Sequence, residues 1–278
     1  MMDSMWNYVI LSYGLFWGLV LGLCGTAAMV FHASPLTMRI LSDVTAWSPT
    51  FAVLLLHRKL MPTTTLTKFL KNCFHGQLKI SLFLISGLIM LGGTFSTVGI
   101  VSLLEGKPFK NYFSLGGFSF MASFFLSLFS GPTGEELGWR GYLKPEMNQR
   151  YGFLKGSILQ GIVWAFWHTL LWFIDSEFLD WRIIIYVLSN VVVITAIAVI
   201  MNIILEMEEN LLYSIWIHFC FNLPYSFLKV GISYYAIMCI TFPILAYCIE
   251  ATKVLIMHYV FMFLFLIQDT SNSLSKRG

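Results

Sequence analysis

The chain has 278 residues, of which 58% are hydrophobic and 11% charged, and its formal net charge is +3. Repeated apolar stretches of about 18 to 25 residues are more than a soluble core can bury, so they predict membrane-spanning segments. The small net charge, with its basic residues in short loops, gives no reason to expect a nucleic-acid partner, and we expect none.

Apolar runs predict about eight spans in chain order. They lie near residues 7–31, 40–57, 80–104, 112–130, 156–174, 183–205, 211–228 and 232–249. The runs are continuous instead of alternating, which favours helices over a β-barrel, because a helix satisfies its own backbone hydrogen bonds in lipid. We therefore expect one all-α polytopic domain, residues 1–278, in a lipid bilayer. A shorter run near 254–267 could form a ninth short helix, an interfacial helix or a re-entrant segment.

Basic residues in two loops predict the orientation of the bundle. They follow the second and fourth runs: Arg58, Lys59, Lys68, Lys71 and Lys79, then Arg140, Lys144, Arg150 and Lys155. Loops rich in Lys and Arg usually remain cytoplasmic. Both loops, and with them the N-terminus, are therefore predicted inside.

The first polar cluster that interrupts the apolar pattern lies in the stretch GPTGEELGWRG, residues 131–141. If this stretch is helical, Glu136 and Arg140 are four residues apart on one face and can form an ion pair. Glu135 then points about 100° away and is free to face a cavity. The alternative is a charged cytoplasmic loop, since Gly131, Pro132 and Gly134 favour a break.

Two further clusters lie in later apolar runs. His168 follows Trp164 by four residues, which predicts an aromatic wall beside the imidazole. His218 and Asn222 are one helical turn apart, so both can donate hydrogen bonds in one direction. Each could instead be a packing residue or a hydrogen bond between helices.

Considered together, the three clusters favour a catalytic interpretation. Polar side chains on three spans are costly in a membrane unless they surround a shared polar cavity. A carboxylate, an imidazole and hydrogen-bond donors are the groups needed to activate a water and to stabilise the oxyanion of a carbonyl. The predicted reaction class is amide hydrolysis.

The same motifs resemble those of the CAAX protease and bacteriocin-processing family, which includes type II prenyl endopeptidases and abortive-infection-like proteins. EELGWR resembles the family's E-E-x-x-x-R motif, WAFWH its F-x-x-x-H motif, and HFCFN its H-x-x-x-N motif. Trp164 stands where the family usually has phenylalanine. The resemblance covers roughly residues 115–230 and implies a catalytic core there.

The resemblance also implies roles for individual residues. Glu135 would activate the water with help from His168, and His218 and Asn222 would stabilise the oxyanion. Glu136, Arg140 and Trp164 would be supporting residues. The family has often been described as metalloproteases, and Glu135, His168 and His218 would be the ligands if zinc were bound. A metal-free mechanism without a cofactor is the preferred interpretation, and the H-E-x-x-H helix of zincins is absent from the sequence.

The expected function is that of an intramembrane endopeptidase acting on a membrane-associated peptide or protein, which could be prenylated. The expected location is a bacterial plasma membrane, with the active site toward the cytoplasm. A non-catalytic scaffold or bacteriocin self-immunity protein of the same fold is the main alternative. A transporter would also have polar residues at mid-membrane, but the sequence has no repeated halves with paired broken helices.

Overall fold

The computed structural model describes residues 4–114, 119–178 and 180–275, with side chains described as far as Lys253 except that of Asp175. Within these residues the regular structure is helical, apart from an isolated β-bridge between Phe113 and Leu228. The α-helices of the first half are α1 Ser4–Leu19, α2 Gly25–Met29, α3 Pro35–Thr45, α4 Ser48–Leu60, α5 Leu66–Cys73, α6 Ile80–Glu105 and α7 Phe120–Phe129. Those of the second half are α8 Gly131–Glu136, α9 Lys144–Tyr151, α10 Phe153–Trp167, α11 Thr169–Asp175, α12 Arg182–Met207, α13 Leu212–Asn222 and α14 Ile232–Ser275.

Long apolar helices confirm the predicted all-α membrane bundle. In the described part of the chain, five segments are long and apolar enough to cross a membrane: Ser4–Met29, Pro35–Leu60, Ile80–Glu105, Arg182–Met207 and Ile232–Lys253. The chain is therefore an integral membrane protein. The other three predicted runs, 112–130, 156–174 and 211–228, form shorter, interrupted helices. Beyond Lys253, the backbone of α14 continues as helix through the run 254–267.

The three interrupted segments are the ones that carry the polar motifs. Helix α7 ends at Phe129, and the next residue, Ser130, has a ψ of −126° that breaks the helical path. Helix α8 then begins with a proline in its first turn. A π-helical stretch, Leu137–Leu143, then follows. Helices α10 and α11 are separated at His168, and α13 ends at Asn222. Irregular backbone at membrane depth is tolerated only inside protein or along a cavity, so these breaks mark the interior of the bundle.

Polar contacts hold α10 against α12 beside these breaks. Asn202 Nδ2 donates hydrogen bonds to Ser157 Oγ at 3.1 Å and to Gln160 Oε1 at 2.9 Å, and Gln160 in turn donates to the carbonyl of Trp139 at 3.0 Å. At Gly161 a side chain would meet the backbone of Thr195 at 2.7 Å. In lipid, helices associate without a hydrophobic driving force. Small residues let them approach closely, and buried amides form hydrogen bonds between them. Asn202 is thus a structural residue.

The bundle has two distinct ends. At one of them, here called the basic end, the loop 58–79 meets 140–155 and 206–211: the carbonyl of Cys73 accepts from Leu211 N at 2.8 Å, and Lys144 pairs with Glu206 at 3.0 Å. At the other, here called the opposite end, residues 105–114 meet 227–231, where Lys229 N donates to the carbonyl of Tyr112 at 2.8 Å. The two predicted basic loops therefore lie together.

Candidate active site

The first motif is buried in the middle of the bundle, where α8 and the π-helical stretch pack against α4 and α13. Glu135 and Arg140 are each 3% exposed and Glu136 is fully buried. Glycines allow the close packing, because a Cβ at Gly134 would meet the Trp47 ring at 2.6 Å and one at Gly138 would meet the carbonyl of Pro49 at 2.6 Å. The motif is thus helical and internal, and the alternative of a charged cytoplasmic loop is wrong.

Glu136, Arg140 and His218 form what is here called the interior cluster. Glu136 Oε1 accepts from Arg140 Nη1 at 3.0 Å and from His218 Nδ1 at 2.7 Å. The predicted pair between Glu136 and Arg140 is therefore present, with both side chains fully buried. The guanidinium also lies 3.9 Å above the centre of the Trp164 ring. A buried carboxylate is tolerated here because two hydrogen-bond donors, one of them the Arg140 cation, compensate it.

Glu135 has a different environment from its neighbour. Trp164 donates its indole N–H to Glu135 Oε2 at 2.5 Å. The other oxygen, Oε1, lies 3.9 Å from His168 Nε2. One oxygen is therefore held by a hydrogen bond and the other remains open. The aromatic wall expected at Trp164 is present, but its hydrogen bond to Glu135 was not predicted; the tryptophan in place of the family's usual phenylalanine was the available signal.

His168 lies at the break between α10 and α11, where a hydrogen bond to the backbone determines its tautomer. Its Nδ1 is 3.0 Å from the carbonyl of Trp164, which can only accept, so Nδ1 carries the proton. In the neutral imidazole, Nε2 is then an acceptor that faces Glu135. The distance of 3.9 Å is too long for a direct hydrogen bond but suits a bridging water.

His218 and Asn222 reach the same space from α13. Since His218 Nδ1 donates to Glu136, its Nε2 is the nitrogen on the cavity side. A Cβ at Gly131 would lie 2.6 Å from Glu135 Oε1 and 3.0 Å from His218 Nε2. The missing side chain of Gly131 therefore leaves the space between the carboxylate and the imidazole open. Asn222, the last residue of α13, is half-buried along the same wall.

All four predicted catalytic residues line one cavity of about 360 Å³, here called the central cavity. Arg39 and Asp43 of α3 line it as well and were not predicted. They form an ion pair, Nε to Oδ1, of 3.1 Å. Two opposite charges four residues apart near the start of an apolar run were a signal that the sequence contained.

The central cavity occupies the half of the bundle away from the basic end. Phe16 and Ile194, near the middles of their spans, mark its inner limit. From there the lining extends along the first half of the span Pro35–Leu60, to Leu171 near the end of α11, and to Ser226. It therefore extends from mid-bundle toward the opposite end.

The donors of a zinc site are present, but they do not converge as a metal-binding group. Glu135, His168 and His218 are the His₂Glu set of some catalytic zinc sites. In the part of the chain that is described, no three His, Cys, Asp or Glu side chains are close enough together to hold a metal ion.

Comparison with known proteins agrees with the motifs. Residues 117–224 match the family model described as type II CAAX prenyl endopeptidase Rce1-like. Over 143 residues the chain is 34% identical to a protein of Methanococcus maripaludis named CAAX prenyl protease 2, which is 47% of this chain and 52% of that protein. The chain thus spans about half the length of the curated relative it matches. The predicted family resemblance is confirmed. The segment 117–224 contains every predicted site residue but neither Arg39 nor Asp43.

Proposed function

We propose that this protein, whose central segment is similar to type II CAAX prenyl endopeptidases, is an intramembrane endopeptidase. One observation carries the proposal: Glu135 Oε1 and His168 Nε2 face each other across 3.9 Å at the wall of a mid-bundle cavity that His218 and Asn222 also line. A base, a second proton acceptor and two possible oxyanion donors around one space are the parts of water-based amide hydrolysis.

In the proposed reaction a water lies between Glu135 and His168. It donates one hydrogen bond to Oε1 and the other to Nε2. As its oxygen attacks the peptide carbonyl carbon, Glu135 takes up the proton, and the carbonyl oxygen becomes an oxyanion. When the C–N bond breaks, the same proton passes to the leaving amine, which restores the carboxylate. Proton transfer by a positioned carboxylate contributes about 10²- to 10⁴-fold to such a reaction.

His218 and Asn222 are proposed to stabilise the oxyanion. The Asn222 amide can donate directly. His218 already donates through Nδ1 to Glu136 at 2.7 Å, so it can donate through Nε2 only as an imidazolium. Through this hydrogen bond Glu136 fixes the orientation of the His218 ring toward the cavity.

A membrane-associated peptide, which could be prenylated, is the proposed substrate. The relative is named a CAAX prenyl protease. In addition, an apolar groove of about 400 Å³ shares Arg39, Ser42 and Leu171 with the central cavity and extends along α2 to Met29. Apolar residues line most of this groove, which suits an alkyl or isoprenoid chain beside the cleavage site.

Cleavage assays test the proposal. The purified protein in detergent should be incubated with prenylated and unprenylated membrane peptides, and products should be identified by mass spectrometry. We expect cleavage of at least one peptide by the wild type and by Glu177→Gln, a change in an exposed loop, but not by Glu135→Gln. Cleavage that persists in Glu135→Gln would exclude the mechanism. Peptide binding without cleavage by the wild type would favour the scaffold or immunity alternative.

The proposed mechanism needs no metal, and elemental analysis tests this part separately. Protein purified without chelators should contain far less than one equivalent of zinc, and activity should survive chelator treatment. Stoichiometric zinc that is lost together with activity would instead make Glu135, His168 and His218 metal ligands.

The orientation in the membrane also belongs to the proposal. The sequence predicts both cytoplasmic basic loops and an active site toward the cytoplasm, yet the central cavity extends away from the basic end. We give more weight to the loops, because lysine and arginine near span ends set topology. The basic end is then cytoplasmic, and the cavity receives peptide from the extracytoplasmic side.

Cysteine labelling decides the orientation. Single cysteines at Thr65, at the basic end, and at Ser176, at the opposite end, should be introduced into a variant without the native thiols. In intact cells an impermeant maleimide should label Ser176→Cys at once and Thr65→Cys only after permeabilisation. The reverse pattern would place the cavity on the cytoplasmic side, and labelling of both from one side would contradict the span assignment.

A further inference from the structure

Arg39 is a charged residue that the proposed mechanism does not use. It lies on α3, in a segment long and apolar enough to span the membrane. A guanidinium in such a segment costs free energy unless it faces a polar cavity and has a partner, and such residues commonly mark substrate pathways. Its side chain is 42% exposed, whereas that of its partner Asp43 is 13% exposed. The cation is therefore the accessible member of the pair.

The contacts of Arg39 leave part of its guanidinium open. Asp43 approaches Nε at 3.1 Å and is, among the described residues, the carboxylate within ion-pair distance. A guanidinium has five N–H donors in a planar fork, and the edge formed by its two terminal nitrogens can bind a second carboxylate in bidentate fashion. The ion pair with Asp43, whose side chain is 13% exposed, fixes the orientation of the fork.

The position of Arg39 connects this open edge to the cleavage site. Arg39 lines both the central cavity, with Glu135 and His168, and the adjoining apolar groove. A cavity of about 360 Å³ accommodates only a short piece of peptide between the two. An anionic group a few bonds from the scissile amide would therefore come within reach of Arg39.

We propose that Arg39 binds a carboxylate of the substrate peptide and so selects which peptides are cut and where. This inference rests on the proposed endopeptidase function and adds a substrate-binding residue from outside the segment 117–224. The carboxylate can be the C-terminal one or that of an Asp or Glu side chain. In either case Arg39 positions the scissile carbonyl relative to Glu135.

Matched peptides test the proposal and distinguish the two carboxylates. A peptide that the wild type cleaves should be made with a C-terminal carboxylate, with a C-terminal carboxamide, and with each Asp or Glu changed to its amide. A charge-assisted hydrogen bond corresponds to about 10- to 100-fold in kcat/KM, and the change should be mainly in KM. Removing the carboxylate that binds Arg39 should cost the wild type this factor, and the other changes should cost little.

Three variants give the readout. Arg39→Gln should cleave the acid and amide peptides equally, and so should Arg39→Gln with Asp43→Asn, which leaves no unpaired carboxylate to destabilise the fold. Arg182→Gln is the control, since Arg182 is 44% exposed and paired with Asp180 but lies outside the cavity. It should keep the wild-type preference.

Cleavage without any preference by the wild type, or a preference that survives Arg39→Gln, would overturn the inference alone. Absence of all cleavage would contradict the proposed function and this inference with it.

Discussion

The central cavity and the interior cluster are adjacent, but the carboxylates of their two glutamates differ in burial and in the number of their hydrogen-bond partners. In the interior cluster the carboxylate of Glu136 is fully buried and accepts from both Arg140 and His218. At the cavity wall Glu135 has one oxygen held by Trp164 and one left open, and His168 is 18% exposed. Two adjacent glutamates thus have different environments because successive helical residues point about 100° apart. The difference predicts that Glu135→Gln mainly lowers turnover, whereas Glu136→Gln mainly lowers stability.

Glu135→Gln is the strongest test of this separation. The amide keeps the shape of the side chain but cannot accept the water's proton, so we expect turnover to fall by about 10²- to 10⁴-fold. Stability should be unchanged or slightly higher, because a poorly solvated charge is removed. The melting temperature and kcat should be measured on one preparation. A variant that loses its fold along with its activity would show that Glu135 is also structural.

Glu136→Gln should mainly lower stability, with any loss of turnover secondary. The change leaves Arg140 without its partner in a buried site, where breaking an ion pair costs about 3 to 5 kcal/mol of unfolding free energy. Nε and Nη2 of Arg140 have no hydrogen-bond partner among the described residues, so nothing else in that set replaces Glu136.

A second Glu–Arg pair with the same spacing provides the control for Glu136→Gln. Glu146 and Arg150 are 3.4 Å apart, but their side chains are 30% and 31% exposed. Glu146→Gln should therefore cost less than about 1 kcal/mol. Equal melting temperatures for the two variants would contradict the structural role of the interior cluster, and a stable but inactive Glu136→Gln would mean that the two glutamates have exchanged roles.

The sequence predicted the fold and the grouping of the polar motifs better than it predicted the helix breaks around them. Apolar run lengths were sufficient for the all-α membrane bundle, and motif spacing was sufficient for the pair Glu136–Arg140. Hydropathy could not show that the runs bearing His168 and Asn222 are broken helices. A break depends on whether neighbouring segments provide hydrogen-bond partners for the freed backbone groups. The placement of distant segments around one cavity, such as Arg39 in the same lining as Glu135, depends on packing that no local pattern encodes.

Asn222→Ala tests the proposed oxyanion donor separately from the proposed proton-transfer residues Glu135 and His168. Losing one oxyanion donor typically costs about 10²- to 10³-fold in kcat. Substrate KM should change little, because the donor acts mainly in the transition state. Asn190→Ala is the control, since Asn190 donates to the carbonyl of Tyr186 and lies outside the cavity. Similar kcat values for both variants would show that Asn222 contributes to helix packing and not to turnover.

The smallest predicted effect concerns Trp164, which contacts both regions. Its indole N–H holds Glu135 Oε2 at 2.5 Å while its ring face packs against Arg140 at 3.9 Å. Trp164→Phe keeps an aromatic face for Arg140 and removes the N–H donor. A charge-assisted hydrogen bond is strong and holds a carboxylate in one orientation. Without it Glu135 is less well oriented toward His168, so kcat/KM should fall.

The loss of the Trp164 hydrogen bond should lower kcat/KM about tenfold at the optimum, the factor that corresponds to roughly 1.4 kcal/mol. Trp216→Phe is the matched control, because it removes an indole hydrogen bond of 2.8 Å to the carbonyl of Phe83, away from the central cavity. Both variants should lose some stability, but only Trp164→Phe should lower kcat/KM. If kcat/KM stays at the wild-type value in both variants, Trp164 is a packing residue, and its hydrogen bond does not orient Glu135 for the reaction.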